Sequence, residues 1–503
     1  MPRLAAAYRV TERLWWGMSP RGIVALIAIL TLIRFWVAGN AGLLWDEPYY
    51  WMWSQRLAAG YYDHPPMVAY WVWAGTAILG DGPPGIRLLF VLNTVATSAA
   101  VYGIGRALFD RRVAWLAVLW TNVTPLIGIA GIMATPDGPS VLFWTLTMVA
   151  YAMVVRTGDG RWWLAVGVLA GLGILSKYTN FFLGTGIVLS LLIDPRLRRW
   201  FLSPWLWAGG ALAMLVFIPV ILWNADNNWV SFRFQFGRLG ETRFDPAFLI
   251  TLLIVQPLIF NPYAAVFVGG GVRMWLTGAE RGREIGVLLA TALPAIAFIV
   301  FQATHGEVLQ HWLAPVFPTL TVVAVAAAAG VPDNDRHWLL RRIRTDAVPF
   351  ALLAALVVWA YALLPLDRYY PGIDPLNSVR GWPEYATDVE RARQEAGATW
   401  IATADYEITA ELTYELRDRA TVVPVTERLR YTFLPTPDVA LLNESALLVV
   451  SDHQVDRVVG CFATLTEIGT ATRRGAGFDL QTSRLFLAEG AAPDAFARGC
   501  DAE

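Results

Sequence analysis

Three carboxylates and a histidine crowd one short stretch of this 503-residue chain. Trp45-Asp46-Glu47-Pro48-Tyr49-Tyr50 is followed closely by Gly60-Tyr61-Tyr62-Asp63-His64-Pro65-Pro66, just beyond a first long apolar run, residues 22–38. A carboxylate here has two chemical uses. It can take a proton from an attacking hydroxyl, or it can serve as an oxygen ligand to a divalent cation. The plainer account is capping: Asp46 and Glu47 suit the start of a helix opened by Pro48, and Asp63 suits one opened by Pro65. His64 is either a surface residue or a hydrogen-bond donor to a phosphate.

Further candidates lie along the chain. Asp137, in Ala134-Thr135-Pro136-Asp137-Gly138-Pro139, stands at the mouth of a later apolar run. Lys177 is the only lysine in the sequence. Its compact ammonium suits a phosphate, and the competing account is snorkelling to an interface. Residues 224–243 mix aromatics with Asn, Gln and Arg, a composition that fits a sugar or a pyrophosphate-like head group, or simply an interfacial helix. Asp46, Glu47 and Asp137 are therefore the candidates for catalysis. Asp63, His64, Lys177, Arg233 and Gln235 are the candidates for binding substrate and phosphate. Gln256, His305 and His311 carry weaker signals. No Walker loop, dinucleotide fingerprint or HExxH helix is present, so nothing points to a soluble nucleotide donor.

These residues must be positioned by a membrane framework. The chain is 56% hydrophobic and 16% charged, with 24 Trp. An average soluble domain is about 25% charged, and a spanning helix needs roughly 20 mostly apolar residues. Eleven segments read as spans: 20–38, 86–107, 113–132, 138–155, 162–176, 180–193, 205–223, 247–271, 284–302, 311–330 and 347–365. The first reads as a retained span, not a cleaved leader. With the N-terminus inside, the inner segments carry nineteen arginines and the short outer loops five Lys or Arg. That asymmetry fixes the orientation. It puts every candidate above except Gln256, which lies inside the eighth span, on the outer side. Residues 65–79 are apolar but short, and read as a helix lying along the membrane surface.

Beyond residue 365 the composition changes. Asp367-Arg368-Tyr369-Tyr370-Pro371-Gly372 reads as a linker. Strands are expected at 399–403, 421–425, 446–450 and 483–488, and helices at 384–395 and 406–416. That is a small α/β domain on the outer side. The organisation is thus a mainly α polytopic membrane domain, 1–365, followed by an outer α/β domain, 366–503. Cys461 and Cys500 both lie in the second part, where an oxidising compartment permits a disulfide. Two separate thiols are the alternative. The net charge of −1 and the lack of a basic tract give no sign of a nucleic-acid partner.

The acidic pair after the first span, the Tyr61-Tyr62-Asp63-His64-Pro65-Pro66 loop, Ala134-Thr135-Pro136-Asp137, Leu175-Ser176-Lys177-Tyr178-Thr179 and His311-Trp312-Leu313-Ala314-Pro315 together resemble a family. It is that of the bacterial relatives of the dolichyl-phosphate-mannose protein mannosyltransferases, including lipid A aminoarabinose transferases and lipopolysaccharide galacturonosyltransferases. The resemblance covers about residues 20–320. It implies the C-type membrane glycosyltransferase fold and a polyprenyl-phosphate sugar donor. It also implies a lipid A, glycan or protein acceptor and transfer with inversion on the periplasmic face of the bacterial inner membrane. The family's proposed catalytic acid falls on Asp46. His64 stands where the family often has Lys, which moves phosphate binding toward Lys177. Metal use varies in the family, so a divalent ion is left open as a cofactor. On this reading Asp46, Asp137 and Lys177 share one outward cleft. The rival readings are a transporter of lipid-linked saccharides and a non-catalytic relative. A transporter calls for ionisable residues in mid-span, for which Arg34 and Gln256 are the main candidates.

Overall fold

A computed structural model describes residues 11–12, 14–237, 244–364, 377–475, 478–492, 495–496 and 499–500. The expected linker 367–372 lies outside these residues. The chain divides into two compact units. The first comprises Met1–Ala38, Arg87–Asp226 and Gln235–Trp359. The second comprises Gly39–Ile86, Asn227–Phe234 and Ala360–Glu503.

The first unit is helical. All eleven expected apolar segments contain helix, but they differ in length. Among the described residues, seven helices are long and apolar enough to cross a membrane: Pro20–Asn40, Pro83–Leu108, Asp137–Thr157, Pro204–Asp226, Gly282–Gln302, Gln310–Ala329 and Asp335–Leu363. An eighth span is counted if Pro246–Phe260 and Pro262–Leu276, which meet at a bend of 103°, are taken together. The bend has a local cause. Asn261 adopts φ 114°, its Oδ1 accepts from the Tyr263 N–H at 3.0 Å, and its Nδ2 donates to the Ala347 carbonyl at 2.9 Å. One side chain thus starts the new helix and anchors the corner. The remaining three segments are shorter. Trp162–Ser176 has 15 residues, Phe181–Ile193 has 13, and the 113–132 segment breaks at Thr124 into Arg111–Val123 and Pro125–Ala130.

Two features hold these helices together. Trp162–Ser176 and Pro204–Asp226 cross at Gly167 and Gly209, where a Cβ on Gly167 would lie 2.1 Å from the Gly209 carbonyl oxygen. Small residues let helix backbones approach in an apolar medium. The second is Arg34, fully buried in the first long helix. Its guanidinium donates to the Asn122 carbonyl (2.6 Å) and Oδ1 (3.1 Å), at the end of the broken helix, and lies 5.6 Å over the Trp359 ring. A cation at unsatisfied C-terminal carbonyls is favourable. Gln256 likewise donates to the Gln310 carbonyl at 2.7 Å. Both residues tie helices together.

The second unit contains a five-stranded sheet, order β2-β1-β3-β5-β4, from β1 Trp400–Thr403, β2 Val422–Pro424, β3 Ala446–Ser451, β4 Phe462–Arg474 and β5 Asp479–Ala491. β1 is parallel to β2 and β3, and β5 is antiparallel to both β3 and β4. Alternate residues feed two cores. Trp400, Ala402, Leu448 and Val450 enter one, with the Cys461–Cys500 disulfide (Cα–Cα 5.2 Å). Ile401, Leu447 and Val449 enter the other, against helices Trp382–Glu395 and Tyr406–Glu415.

Helix Tyr406–Glu415 also packs on helix Asp46–Ser54. Tyr414 lies edge-on to Trp51 at 5.2 Å and donates to the Asp81 carbonyl at 2.8 Å, while Trp51 Nε1 donates to the Asp81 carboxylate at 2.8 Å. Glu411 on helix Tyr406–Glu415 is buried, and among the described residues its Oε1 has no hydrogen-bond partner. Burial, with Glu415 nearby, pushes its carboxyl well above the usual range. A raised carboxyl favours folding at low pH and loses that contribution as pH rises from the unfolded value through the folded one. Glu411→Gln is therefore expected to stabilise the fold at pH 8 by about 1 kcal/mol or more, seen as a higher midpoint of thermal unfolding, and to change little at pH 4. Unfolding in detergent at the two pH values checks this.

Candidate active site

The first candidate cluster lies within the second unit. The chain leaves the first long helix at Asn40 and turns into a 9-residue helix, Asp46–Ser54. Gly42 is required there, since a Cβ would meet the Val379 carbonyl oxygen at 2.0 Å. Glu47 turns back on its own backbone. Its Oε2 accepts from the Leu44 N–H at 2.8 Å while its own N–H donates to the Leu44 carbonyl at 2.7 Å. This reciprocal pair fixes the start of the helix. Asp46 is free of that duty and faces other side chains.

The Tyr406 hydroxyl donates to Asp46 Oδ1. Asp63 Oδ2 accepts from the Tyr49 hydroxyl at 2.9 Å, and Asp63 Oδ1 accepts from Arg430 Nη1 at 2.6 Å. That ion pair is largely shielded, with side chains 17% and 13% exposed. The Arg430 guanidinium also lies 4.6 Å over the Tyr406 ring and 5.2 Å over Tyr62. Aromatic packing fixes the loop beneath, where Trp53 stacks on Tyr61 at 4.1 Å with 4° between planes. His64 is half-buried, its ring 6.5 Å from Tyr50. Arg233 is exposed on the short helix Val230–Gly237, and Gln235 on the same helix belongs to the first unit.

Burial raises the Asp46 carboxyl to about 6, with Asp63 and Glu47 pushing the same way and Tyr406 and Arg430 opposing. Burial and the Asp46 carboxylate push the Tyr406 phenol well above its ordinary value, so it stays a donor. Asp46 is thus ionised at neutral pH and still basic enough to accept a proton.

The second cluster lies within the first unit. Asp137 opens helix Asp137–Thr157. Its Oδ1 accepts from Lys177 Nζ at 2.7 Å, and its Oδ2 lies 3.6 Å from His311 Nε2. The Lys177 and Asp137 side chains are 8% and 6% exposed, and His311 is 42% exposed. The start of this helix is braced twice. Asn93 donates to the Gly138 carbonyl at 2.9 Å, and Asn180 exchanges hydrogen bonds with Ser140 at 2.8 and 3.2 Å. Lys177 is thus committed to a carboxylate, and the histidine is the more accessible group. His311 is brought in by the turn Gln310–Val316.

Among the described residues no group of three or more His, Cys, Asp or Glu is arranged to hold a metal ion. Asp63 is fully engaged, and Asp46 already shares one oxygen with Tyr406. The residues present do not fit a divalent ion caged by the protein alone.

The dolichyl-phosphate-mannose-protein mannosyltransferase family matches residues 63–223. The lipid A galacturonosyltransferase RgtD of Rhizobium johnstonii is 25% identical over 420 residues, 80% of this chain and 84% of its own length. The undecaprenyl phosphate-alpha-4-amino-4-deoxy-L-arabinose arabinosyl transferase 1 of Pseudomonas fluorescens is 31% identical over 329 residues, 61% of this chain and 55% of its own. The chain is a relative of these membrane glycosyltransferases. ArnT from Cupriavidus metallidurans bound to undecaprenyl phosphate superposes with a TM-score of 0.66 at 16% identity, over 95% of this chain and 100% of that one. This glycosyltransferase relative therefore has the C-type membrane fold, as a multi-pass membrane protein.

The structure places Asp46, Glu47, Asp63 and His64 in the second unit, and Asp137 and Lys177 together in the first. Sequence reading missed Tyr406 and Arg430, since nothing local marks them. Their signal is that each completes a partner more than 350 residues away.

The buried Lys177–Asp137 pair makes a direct prediction. Lys177→Met removes the buried carboxylate's closest cation, with His311 still 3.6 Å from its other oxygen, and should cost about 3 kcal/mol. The double variant Lys177→Met/Asp137→Leu should recover much of that loss. Thermal unfolding of the two variants in detergent checks both.

Proposed function

We propose that the chain transfers a sugar from a polyprenyl-phosphate donor to a hydroxyl of a lipid or glycan acceptor, with inversion, on the periplasmic face of the bacterial inner membrane. The observation that carries this is Asp46: a carboxylate fixed at a helix start, held through one oxygen and poised near pH 6. It takes the proton of the acceptor hydroxyl through its other oxygen. The acceptor oxygen attacks the anomeric carbon as the bond to the phosphate oxygen breaks. The bonding electron pair leaves with the polyprenyl phosphate. Relatives named for undecaprenyl-phosphate-linked aminoarabinose and for lipid A galacturonic acid support the donor and acceptor classes.

The other roles follow from position. Glu47 holds the loop that presents Asp46. Asp63, through Arg430, holds the aromatic wall beside it. His64 and Arg233 are the candidates for the donor phosphate in the second unit. Lys177 and Gln235 keep substrate-binding roles in the first, with Lys177 acting through Asp137 beside His311. Residues 1–365 form the membrane domain and 366–503 the periplasmic one. The arginine asymmetry supports that orientation, and so does the Cys461–Cys500 disulfide, which calls for an oxidising compartment. Arg34 and Gln256 are occupied in tying helices, which removes the main support for a transporter.

Asp46→Asn should lower kcat/KM about a hundredfold or more. The wild-type pH profile should show an acid limb near pH 6, with activity lost below it as Asp46 takes a proton. Mass spectrometry of envelope lipids from cells lacking the chain, and from cells restored with wild type or Asp46→Asn, reads the result. Loss of one defined sugar, restored by wild type alone, is expected. An unchanged inventory in all strains refutes the assignment.

A further inference from the structure

Asp46 is faced by five ionisable side chains on four elements. Glu47 lies on its own helix and Asp63 on the following loop. Tyr406 and Glu407 come from helix Tyr406–Glu415, and Arg430 from the turn Arg428–Tyr431. Only Tyr406 touches the carboxylate among the contacts described above. Its ring has little freedom to swing away. Tyr49 packs edge-on against it at 5.0 Å and 88°, and the Arg430 guanidinium covers it at 4.6 Å. Arg430 is itself pinned to Asp63 and, at 3.1 Å, to Glu427. The hydroxyl therefore sits on Asp46 Oδ1 by construction and leaves Oδ2 for another hydroxyl.

We propose that Tyr406, supplied by the C-terminal region, is a positioning residue for Asp46: it orients the carboxylate and stabilises its charged form until an acceptor proton arrives. The C-terminal region is then part of the transfer site, not a cover over it. This inference rests on the reading of Asp46 as the base. The step is balanced. The acceptor proton moves to the free Asp46 oxygen, Tyr406 keeps its own proton throughout, and its bond to Asp46 passes from charge-assisted to neutral. A donor to a carboxylate favours the ionised state, so deleting it must make Asp46 harder to ionise.

Tyr406→Phe keeps the ring and its packing and removes only the hydroxyl. Two readouts test it in the full-length protein in detergent. The first is sugar transfer to lipid A, with undecaprenyl-phosphate-linked 4-amino-4-deoxyarabinose and polyprenyl-phosphate-linked galacturonic acid as donor probes. The acid limb is expected to move up by about one pH unit, a loss of kcat of about fivefold at pH 6 that approaches tenfold below pH 5. The loss should shrink to within about threefold two units higher, with donor KM nearly unchanged. The second is an infrared titration of the Asp46 carboxyl, assigned by Asp46→Asn, whose midpoint should move up equally whether or not a probe is accepted. An unmoved midpoint, or a loss of rate equal at every pH, overturns the inference. Full activity of Asp46→Asn would instead sink the reading beneath it. Should the Phe variant not accumulate, 3-fluorotyrosine at position 406, a stronger donor of the same shape, is expected to move both midpoints downward. No movement there is equally fatal.

Discussion

Charge kept out of water is the constraint that organises this molecule. Burying a lone carboxylate is costly, and the cost is met by a partner of opposite charge or by directed hydrogen bonds. Arg430 is the centre of that compensation in the second unit. It neutralises Asp63, covers Tyr406 and so bears indirectly on Asp46. Without it, Asp46, Glu47 and Asp63 would be three acids facing one another among aromatics. With it, one acid is fully engaged, one is turned to its own backbone, and one is left able to exchange a proton.

The membrane framework meets the same constraint by other means. Lys177 and Asp137 cancel each other inside the first unit and leave His311 as the exposed member of the trio. Arg34 has no carboxylate among its hydrogen-bond partners described here, and its two terminal nitrogens donate to the carbonyl and amide oxygens of Asn122 at a helix break. Polar residues that read as a transport path in a linear sequence are here joints in a helical scaffold. The difference is one of partners, which lie tens of residues away in the chain.

What could be read from the sequence follows from how local each cause is. Apolar runs set helix positions, and all eleven were legible; their lengths were less so, because breaks at Thr124 and Asn261 depend on side chains that cap or bend. Four of the five strands were visible as short apolar or alternating runs. β4 was not, since most of its side chains are exposed and Gly469 sits in a bulge at φ 153°. The fold class and family were legible from the order of loose motifs. Asp46 and Asp63 could be picked out by type, and Asp137 and Lys177 could be paired only in three dimensions. Tyr406 and Arg430 are ordinary residues in an ordinary helix and turn. Only long-range geometry gives them meaning.

The second unit is assembled from three pieces of chain, and its defining hydrogen bond joins residues 360 positions apart. A ribosome delivers the N-terminal piece first. The loop with Asp46 must therefore wait, incomplete, while the whole helical scaffold is synthesised and inserted. Tyr406 arrives 360 residues later. A chain stalled or clipped before that point would keep its membrane helices and its acid but lack the partner that tunes it. Discontinuity therefore sets an order of assembly: the bond between Tyr406 and Asp46 can form only after all the chain between them has been made.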